Sequence, residues 1–330
     1  MAELSVKYLG LTLKNPIIAG SSGLTRSIAD FKRLEESGVA AIVMKSMFEE
    51  QIFLDADYDS KKALQDNLIY FRNSETFDYI DTHVKTQYIS DYVETIQRAK
   101  EQVNIPVIAS INCVTASSWT TFASKLQNAG ADALELNIAI QGFNPDISAG
   151  DIEKIHLDII HKVRKEVSIP VAVKISPYFS DLSRMIDVLS NTGINGIVLF
   201  NRLFSPDIDL DQMKITATNM FSTPSEMTNS LRWIAMKSEL SCDLCASTGI
   251  HSGPDVIKML LAGAAATQIV STLYNNGIGQ VATMLKEIEQ WMQKKGYNYI
   301  EQFAGKMNQF ETSTPNIYER IQFMKYYAQI

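Results

Sequence analysis

Two lysines stand where a globular chain should place hydrocarbon. Lys174 lies inside "VAVKIS" (171–176) and Lys45 near the end of "AAIVMKS" (40–46), both runs that read as buried strands. A buried ammonium must be paired or must serve a ligand, so both are candidate catalytic groups. Other polar residues close similar runs: Asn112 and Cys113 after "VIASI", Asn137 in "ALELN", Ser176 after Ile175, and Asn201 after "GIVLF". The runs "STG" (247–249) and "STLY" (271–274) add small residues before helices, whose exposed N–H groups and hydroxyls suit a phosphate. In "ALELNIAIQGFNP" (133–145), alternation puts Glu135, Asn137 and Ala139 on one face, so two polar side chains share an interior position. Together these residues describe a phosphorylated, electron-accepting ligand with a cation beside it.

Such groups do chemistry only if the fold delivers them to one place. Four segments, "ESGVAAIVMKS", "NAGADALELNI", "NTGINGIVLFN" and "LAGAAATQIVS", each set a glycine before a short β-prone run. "VNIPVIASIN" and "VSIPVAVKIS" start a strand with proline, where no ladder N–H is needed. With "NPIIAGSSG" and "LSCDLCASTG" there are eight such runs, rich in Val, Ile, Leu and Ala, as expected of strands covered on both faces. Helix-period segments separate most of them, with Ser27, Ser118 and Asp151 as N-caps and Pro254 in a first turn. The pattern predicts a (β/α)8 TIM barrel, with "LSVKYLGLTLK" as an N-terminal β-hairpin beneath it. A doubly wound open sheet is the alternative. No linker divides residues 1–330, so one domain is expected, with a C-terminal tail from about 308 to 330. Long insertions at 47–86 and 201–226 leave the C-terminal ends of strands, where barrel enzymes build their sites, and "FRNSETFDYIDTHV" suits a lid or a subunit contact.

The chain has 330 residues, 46% hydrophobic and 20% charged, with net charge −7. This composition excludes disordered and collagen-like classes and argues against nucleic acid or an anionic membrane as partner. No apolar run is long enough to span a bilayer, and "MAELSVKYLG" has no basic flank or apolar h-region, so a cytoplasmic location is expected. No metal is expected either. Cys242 and Cys245 of "CDLC" fall in a strand-like stretch without a second pair, and His156 and His161 are five apart on a helix.

The motifs "VKISPYFSD" (173–181), "ELN" (135–137), "KS" (45–46), "STGIHSGPDVIKMLLAGAAATQI" (247–269) and "KKGYNYIEQFAGKM" (294–307) resemble class 1 dihydroorotate dehydrogenases. These are FMN-dependent barrels of pyrimidine biosynthesis, and the resemblance runs from about residue 5 to 307. It implies that FMN is the cofactor and that hydride passes from dihydroorotate to flavin N5. Lys174 would lie by the flavin N1/C2 carbonyl, favouring the reduced ring. Lys45 would contact the flavin and orient substrate, and Ser21, Ser22, Gly23 and Ser46 would join the cofactor site. Thr248, Gly249 and Ser271 would hold the phosphate, with Ser222 of "FSTPSE" as a further donor and Thr272 also in the cofactor site. Asn137 and Asn201 would bind the amides of a small planar substrate.

The resemblance also shows departures. The family follows "ELN" with a loop of the type Leu-Ser-Cys-Pro-Asn, whose Cys or Ser removes the substrate proton. Here that base falls on Ile140, and the next family positions fall on Gln141 and Gly142. Isoleucine cannot accept a proton. The family's Asn-Ser-Met-Gly-Leu stretch is not recognisable in 60–76. Cys113 is the substitute base if a lysine lowers its pKa from ~8.5. A homodimer is expected, with a soluble electron acceptor such as fumarate. The competing readings are a flavin-binding protein without catalysis, and a phosphate-ligand lyase forming a Schiff base through Lys174 or Lys45.

Overall fold

A computed structural model of the chain describes residues 2–48, 74–112, 116–140, 146–203, 205–313 and 316–319. In chain order, β1 (Val6–Tyr8) and β2 (Leu11–Leu13) form a hairpin, followed by β3 (Ile17–Ala19), β4 (Ala41–Val43) and the short β5 (Met47–Phe48). Then come β6 (Val107–Asn112), β7 (Ala133–Asn137), β8 (Val171–Ile175) and β9 (Gly196–Leu199). A second hairpin, β10 (Pro206–Asp209) and β11 (Lys214–Ala217), precedes β12 (Asp243–Ser247) and β13 (Ala266–Ile269). Strands β3, β4, β6, β7, β8, β9, β12 and β13 pair in parallel, and β13 returns to β3, so the sheet is a closed barrel. That closure rules out the open doubly wound alternative. Every residue of β3, β4, β6, β8, β9 and β13 is buried, as strands packed on both faces require.

The prolines mark strand entrances as expected. Pro16, Pro106 and Pro170 have no N–H, but their carbonyls accept from Thr267, Ile42 and Leu134 on neighbouring strands. Beneath the barrel, the first hairpin turns through Leu9 (φ +55°) and Gly10 (φ +75°), a two-residue geometry that matches strand twist. Tyr8, Leu9 and Leu13 are buried, each worth about 1.5–3 kcal/mol, and the Leu9 N–H donates to Asp243 Oδ2 at 2.7 Å. Gly196 leaves room for Leu9: a Cβ there would lie 2.6 Å from Leu9 Cδ2.

Helix boundaries needed adjustment. Ser27 does cap Ile28–Ser37, its side chain accepting from the Asp30 N–H. Ser118 is not a cap, because the helix already runs from Ala116 to Asn128. Asp151 is the third residue of a capping box whose N-cap is Ser148, and Pro254 follows the N-cap Ser252 in the first turn of Gly253–Ala262. The segment expected as a lid is helical from Ser74, within Ser74–Gln102. The 201–226 insertion contains the β10–β11 hairpin, which carries exposed Ile208 and Ile215 as a cross-strand pair. From the tail, Gln309 N–H donates to the Ala235 carbonyl and a short helix covers Asn316–Glu319. No helix among the described residues is long and apolar enough to cross a membrane.

Candidate active site

At the C-terminal mouth of the barrel lies a cavity of about 250 Å³. Its lining brings together Ser21, Lys174, Asn201, Ser222, Thr248, Gly249 and Ser271, which come from five strand ends and the 201–226 insertion. Lys174 and Arg202 are its cations, and no carboxylate is among the described lining residues. That balance suits an anionic ligand.

One end of the cavity is a cluster of hydroxyls and backbone N–H groups. Ser222 N–H donates to Ser271 Oγ at 2.9 Å, Ser222 Oγ–H donates to the same oxygen at 3.0 Å, and Gly249 N–H donates to Ser222 Oγ at 3.2 Å. The turn that places them is tight. Thr248 has φ +78°, costly for a β-branched residue, and its hydroxyl is tied to the Phe200 carbonyl at 3.1 Å. Gly249 follows at φ +77°, and a Cβ there would lie 2.3 Å from Met227 N. Phe221 stacks on Tyr274 at 5.0 Å between ring centroids.

Charge and amides occupy the barrel-facing end. Lys174 Nζ donates to Gln268 Oε1 at 3.0 Å and lies 4.0 Å from Glu135 Oε1. Gln268 Nε2 in turn donates to Glu135 Oε2. Asn201 Nδ2 donates to Asn137 Oδ1 at 2.8 Å, so Asn137 reaches the cavity through Asn201. A third row joins Ser21, Ser46 and Ser110: Ser46 N–H donates to Ser21 Oγ at 2.8 Å, and the Ser46 and Ser110 hydroxyls are 2.6 Å apart. Tyr92, from the outer helix, bonds both backbone groups of Ser110.

Several expected residues lie elsewhere. Lys45 is exposed rather than buried, and lines a separate cavity of about 140 Å³ with Arg26, Asp91 and Thr95. Ser46 takes the position facing Ser21 and Ser110, and alternation turns the neighbouring Lys45 the other way. Ser22 spends its hydroxyl on the turn Gly23–Thr25, accepting from the Leu24 N–H at 3.2 Å. Gly23 is exposed under Tyr274, whose hydroxyl would lie 2.8 Å from a Cβ there. Thr272 is fully buried and donates to the His251 carbonyl at 3.2 Å. Cys113, Gln141 and Gly142 lie outside the described residues, as do 49–73 of the first insertion.

The "CDLC" cysteines are bland. Burial pushes the Cys242 thiol up to about 12 and raises Cys245 as well, so neither is a ready thiolate. His156 is buried, with Nδ1 2.8 Å from the Ile152 carbonyl, and burial lowers its pKa. Sequence reasoning overlooked Gln268 and Arg202, and it noted Glu135 without giving it a partner. The rule that singled out Lys174, a polar residue inside an apolar strand, applies equally to Gln268 in "AATQIV".

The chain is similar to known proteins over most of its length. A family model described as dihydroorotate dehydrogenase matches residues 83–292. The catalytic subunit of dihydroorotate dehydrogenase B (NAD(+)) from Thermoplasma acidophilum is 26% identical over 314 residues, covering 92% of this chain and 99% of the relative. The corresponding subunit from Methanocaldococcus jannaschii is 24% identical over 321 residues, covering 92% and 97%. The chloroplastic dihydropyrimidine dehydrogenase (NADP(+)) of Arabidopsis thaliana is 25% identical over 347 residues, covering 96% and 80%.

Proposed function

Because the chain belongs to the dihydroorotate dehydrogenase family, FMN-dependent dehydrogenases acting on CH–CH bonds, we propose that it oxidises a dihydropyrimidine ring, dihydroorotate first among the candidates. The observation that carries this reading is the cavity itself. It has hydroxyls and N–H groups at one end, an ammonium at the other, and an amide pair beside them.

The residues fit FMN. Ser222, Thr248, Gly249 and Ser271 would hold its phosphate, where the 2.3 Å approach of Met227 excludes any side chain at Gly249. Bound FMN supplies the hydride acceptor. Lys174 brings the positive charge that favours electron uptake nearby, and it has N–H donors left beyond its bond to Gln268. Asn137 and Asn201 would exchange their mutual bond for bonds to the substrate's amide edge. Ile140 is partly buried against the core and offers no acceptor, so the proton must leave through another group. Cys113 remains our candidate for that role.

Anaerobic mixing with dihydroorotate is the direct test. Bleaching of the flavin spectrum supports the reading; a persistently oxidised spectrum with dihydroorotate and with dihydrouracil refutes it. The Ile140 substitution favours one second reading, a flavin-binding protein without turnover, and the same persistent spectrum would support it. The relatives' names favour NAD(+), reached through a partner chain, as final oxidant over fumarate, and steady-state assays with each acceptor separate the two. A homodimer remains part of the proposal, read by sedimentation of the full chain.

A further inference from the structure

Glu135 is a carboxylate inside a barrel where hydrocarbon is the rule, with 1% of its surface exposed. Its Oε2 accepts from Gln268, but Oε1 has no hydrogen-bond partner and sits 4.0 Å from Lys174 Nζ. Gln268 is also buried and connects both groups: its amide N–H donates to Glu135, and its carbonyl accepts from Lys174 at 3.0 Å. The three side chains come from β7, β8 and β13, so no local turn or cap explains them. Burying such a pair for stability alone is poor chemistry, since apolar residues of similar volume do as well or better.

We propose that Glu135 and Gln268 are positioning residues for Lys174: Gln268 fixes the direction of the ammonium toward the cavity, and Glu135 is the counter-charge that tempers its field there. The inference rests on the FMN reading above and extends it to Gln268 in the cavity wall and to Glu135 behind it. Geometry requires both parts. Lys174 has four rotatable side-chain bonds, and Gln268 gives its Nζ a fixed hydrogen-bond acceptor. Other titratable groups within electrostatic reach are Tyr8 from the hairpin, Tyr92 from the outer helix and Cys245 from β12. Burial raises the pKa of all three, leaving them neutral. Asp243, also on β12, is engaged at the opposite barrel end by the Leu9 N–H. Glu135 is therefore the negative charge beside the lysine.

The probe is sulfite, which adds to N5 of an oxidised flavin and leaves the electron pair on the ring, so its affinity reports positive charge near N1 and C2. On the flavin-loaded full chain, Gln268→Met is expected to weaken sulfite binding at least about tenfold. The same substitution in a Lys174→Met background is expected to change it less than about twofold. Glu135→Gln, which keeps an acceptor for Gln268 and removes the counter-charge, is expected to tighten sulfite binding at least about tenfold. A Gln268→Met loss that persists without Lys174, or a Glu135→Gln affinity that is unchanged or weaker, overturns the proposal. If either variant fails to fold, the other decides. If the purified chain holds no flavin, the FMN reading falls, and thermal unfolding still reads the pairing. Lys174→Met alone then lowers Tm, and adding Glu135→Gln restores part of it; strict additivity would overturn the pairing as well.

Discussion

Replacing Gly249 with alanine separates backbone strain from steric exclusion at the hydroxyl-lined end of the cavity. Gly249 has φ +77°, and holding an L-residue there costs about 1–2 kcal/mol. The new Cβ would also lie 2.3 Å from Met227 N and 2.9 Å from Met227 Cα, atoms of a helix start that cannot rotate away. Forcing such an overlap adds about 1–3 kcal/mol. Loss of glycine's freedom in the unfolded chain returns roughly 0.4–1 kcal/mol, for a net loss of about 2–4 kcal/mol. In a chain of 330 residues, with about 2.1 cal/mol/K of unfolding entropy per residue, that lowers Tm by roughly 3–6 °C. Gly193 provides the control: φ is +81°, yet nothing lies within 4 Å of its Cβ position, so Gly193→Ala should cost only the strain, about 1 kcal/mol. The assay is thermal unfolding paired with FMN titration by fluorescence quenching. Because the Gly249 N–H donates to Ser222, displacement there should weaken FMN at least about tenfold, while Gly193→Ala leaves it unchanged. Equal Tm losses for the two variants, or full FMN affinity in Gly249→Ala, would refute the reasoning.

Other perturbations probe different parts of the molecule. Ile140→Cys places a group able to take a proton at that position, and should speed flavin reduction by dihydroorotate by about 10²–10⁴; an unchanged rate would show that the pocket, not the base, sets the rate. Burial lowers the His156 pKa, so the fold resists its protonation; stability is complete above the unfolded value of ~6.5 and is lost as pH falls through and below it. His156→Leu should therefore narrow the gap in Tm between about pH 7.5 and pH 5, and an identical gap would refute that assignment. Lys237 Nζ reaches both Asp187 oxygens, at 2.8 and 2.7 Å, with the lysine largely covered and the aspartate half exposed. Lys237→Met should cost no more than about 1 kcal/mol by denaturant titration, and a loss several times larger would mean that the pair is more insulated from water than it looks.

Much of the barrel was legible because its rules act locally. Glycine before four of the runs, proline at strand entrances and unbroken Val/Ile/Leu content follow from backbone sterics and two-sided burial, and all eight predicted strands are present. Side-chain direction at strand ends was less legible. "MKS" carries no sign that Ser46 faces Ser110 while Lys45 turns outward, because that depends on where the strand stops. Two of the three expected N-caps, Ser118 and Asp151, failed for a similar reason. Ser148 and Asp151 both suit a helix start, and only the backbone shows that one caps while the other answers from the third position. Glu135 was visible as an anomaly, but its partners lie 39 and 133 residues away, on strands whose register no local pattern reports.

The bond between Asn201 and Asn137 has a consequence for selectivity. The Asn201 amide N–H and the Asn137 carbonyl oxygen satisfy each other at 2.8 Å. A guest that inserts between them must offer a donor to one and an acceptor to the other. A flat cyclic amide can do so on a single edge. A hydrocarbon ring of the same outline would strand both groups, and sites built this way reject such analogues by factors on the order of 10⁴–10⁵. If the pair holds the substrate as proposed, discrimination against the wrong ring is present before any catalytic group is engaged, whatever side chain stands at position 140.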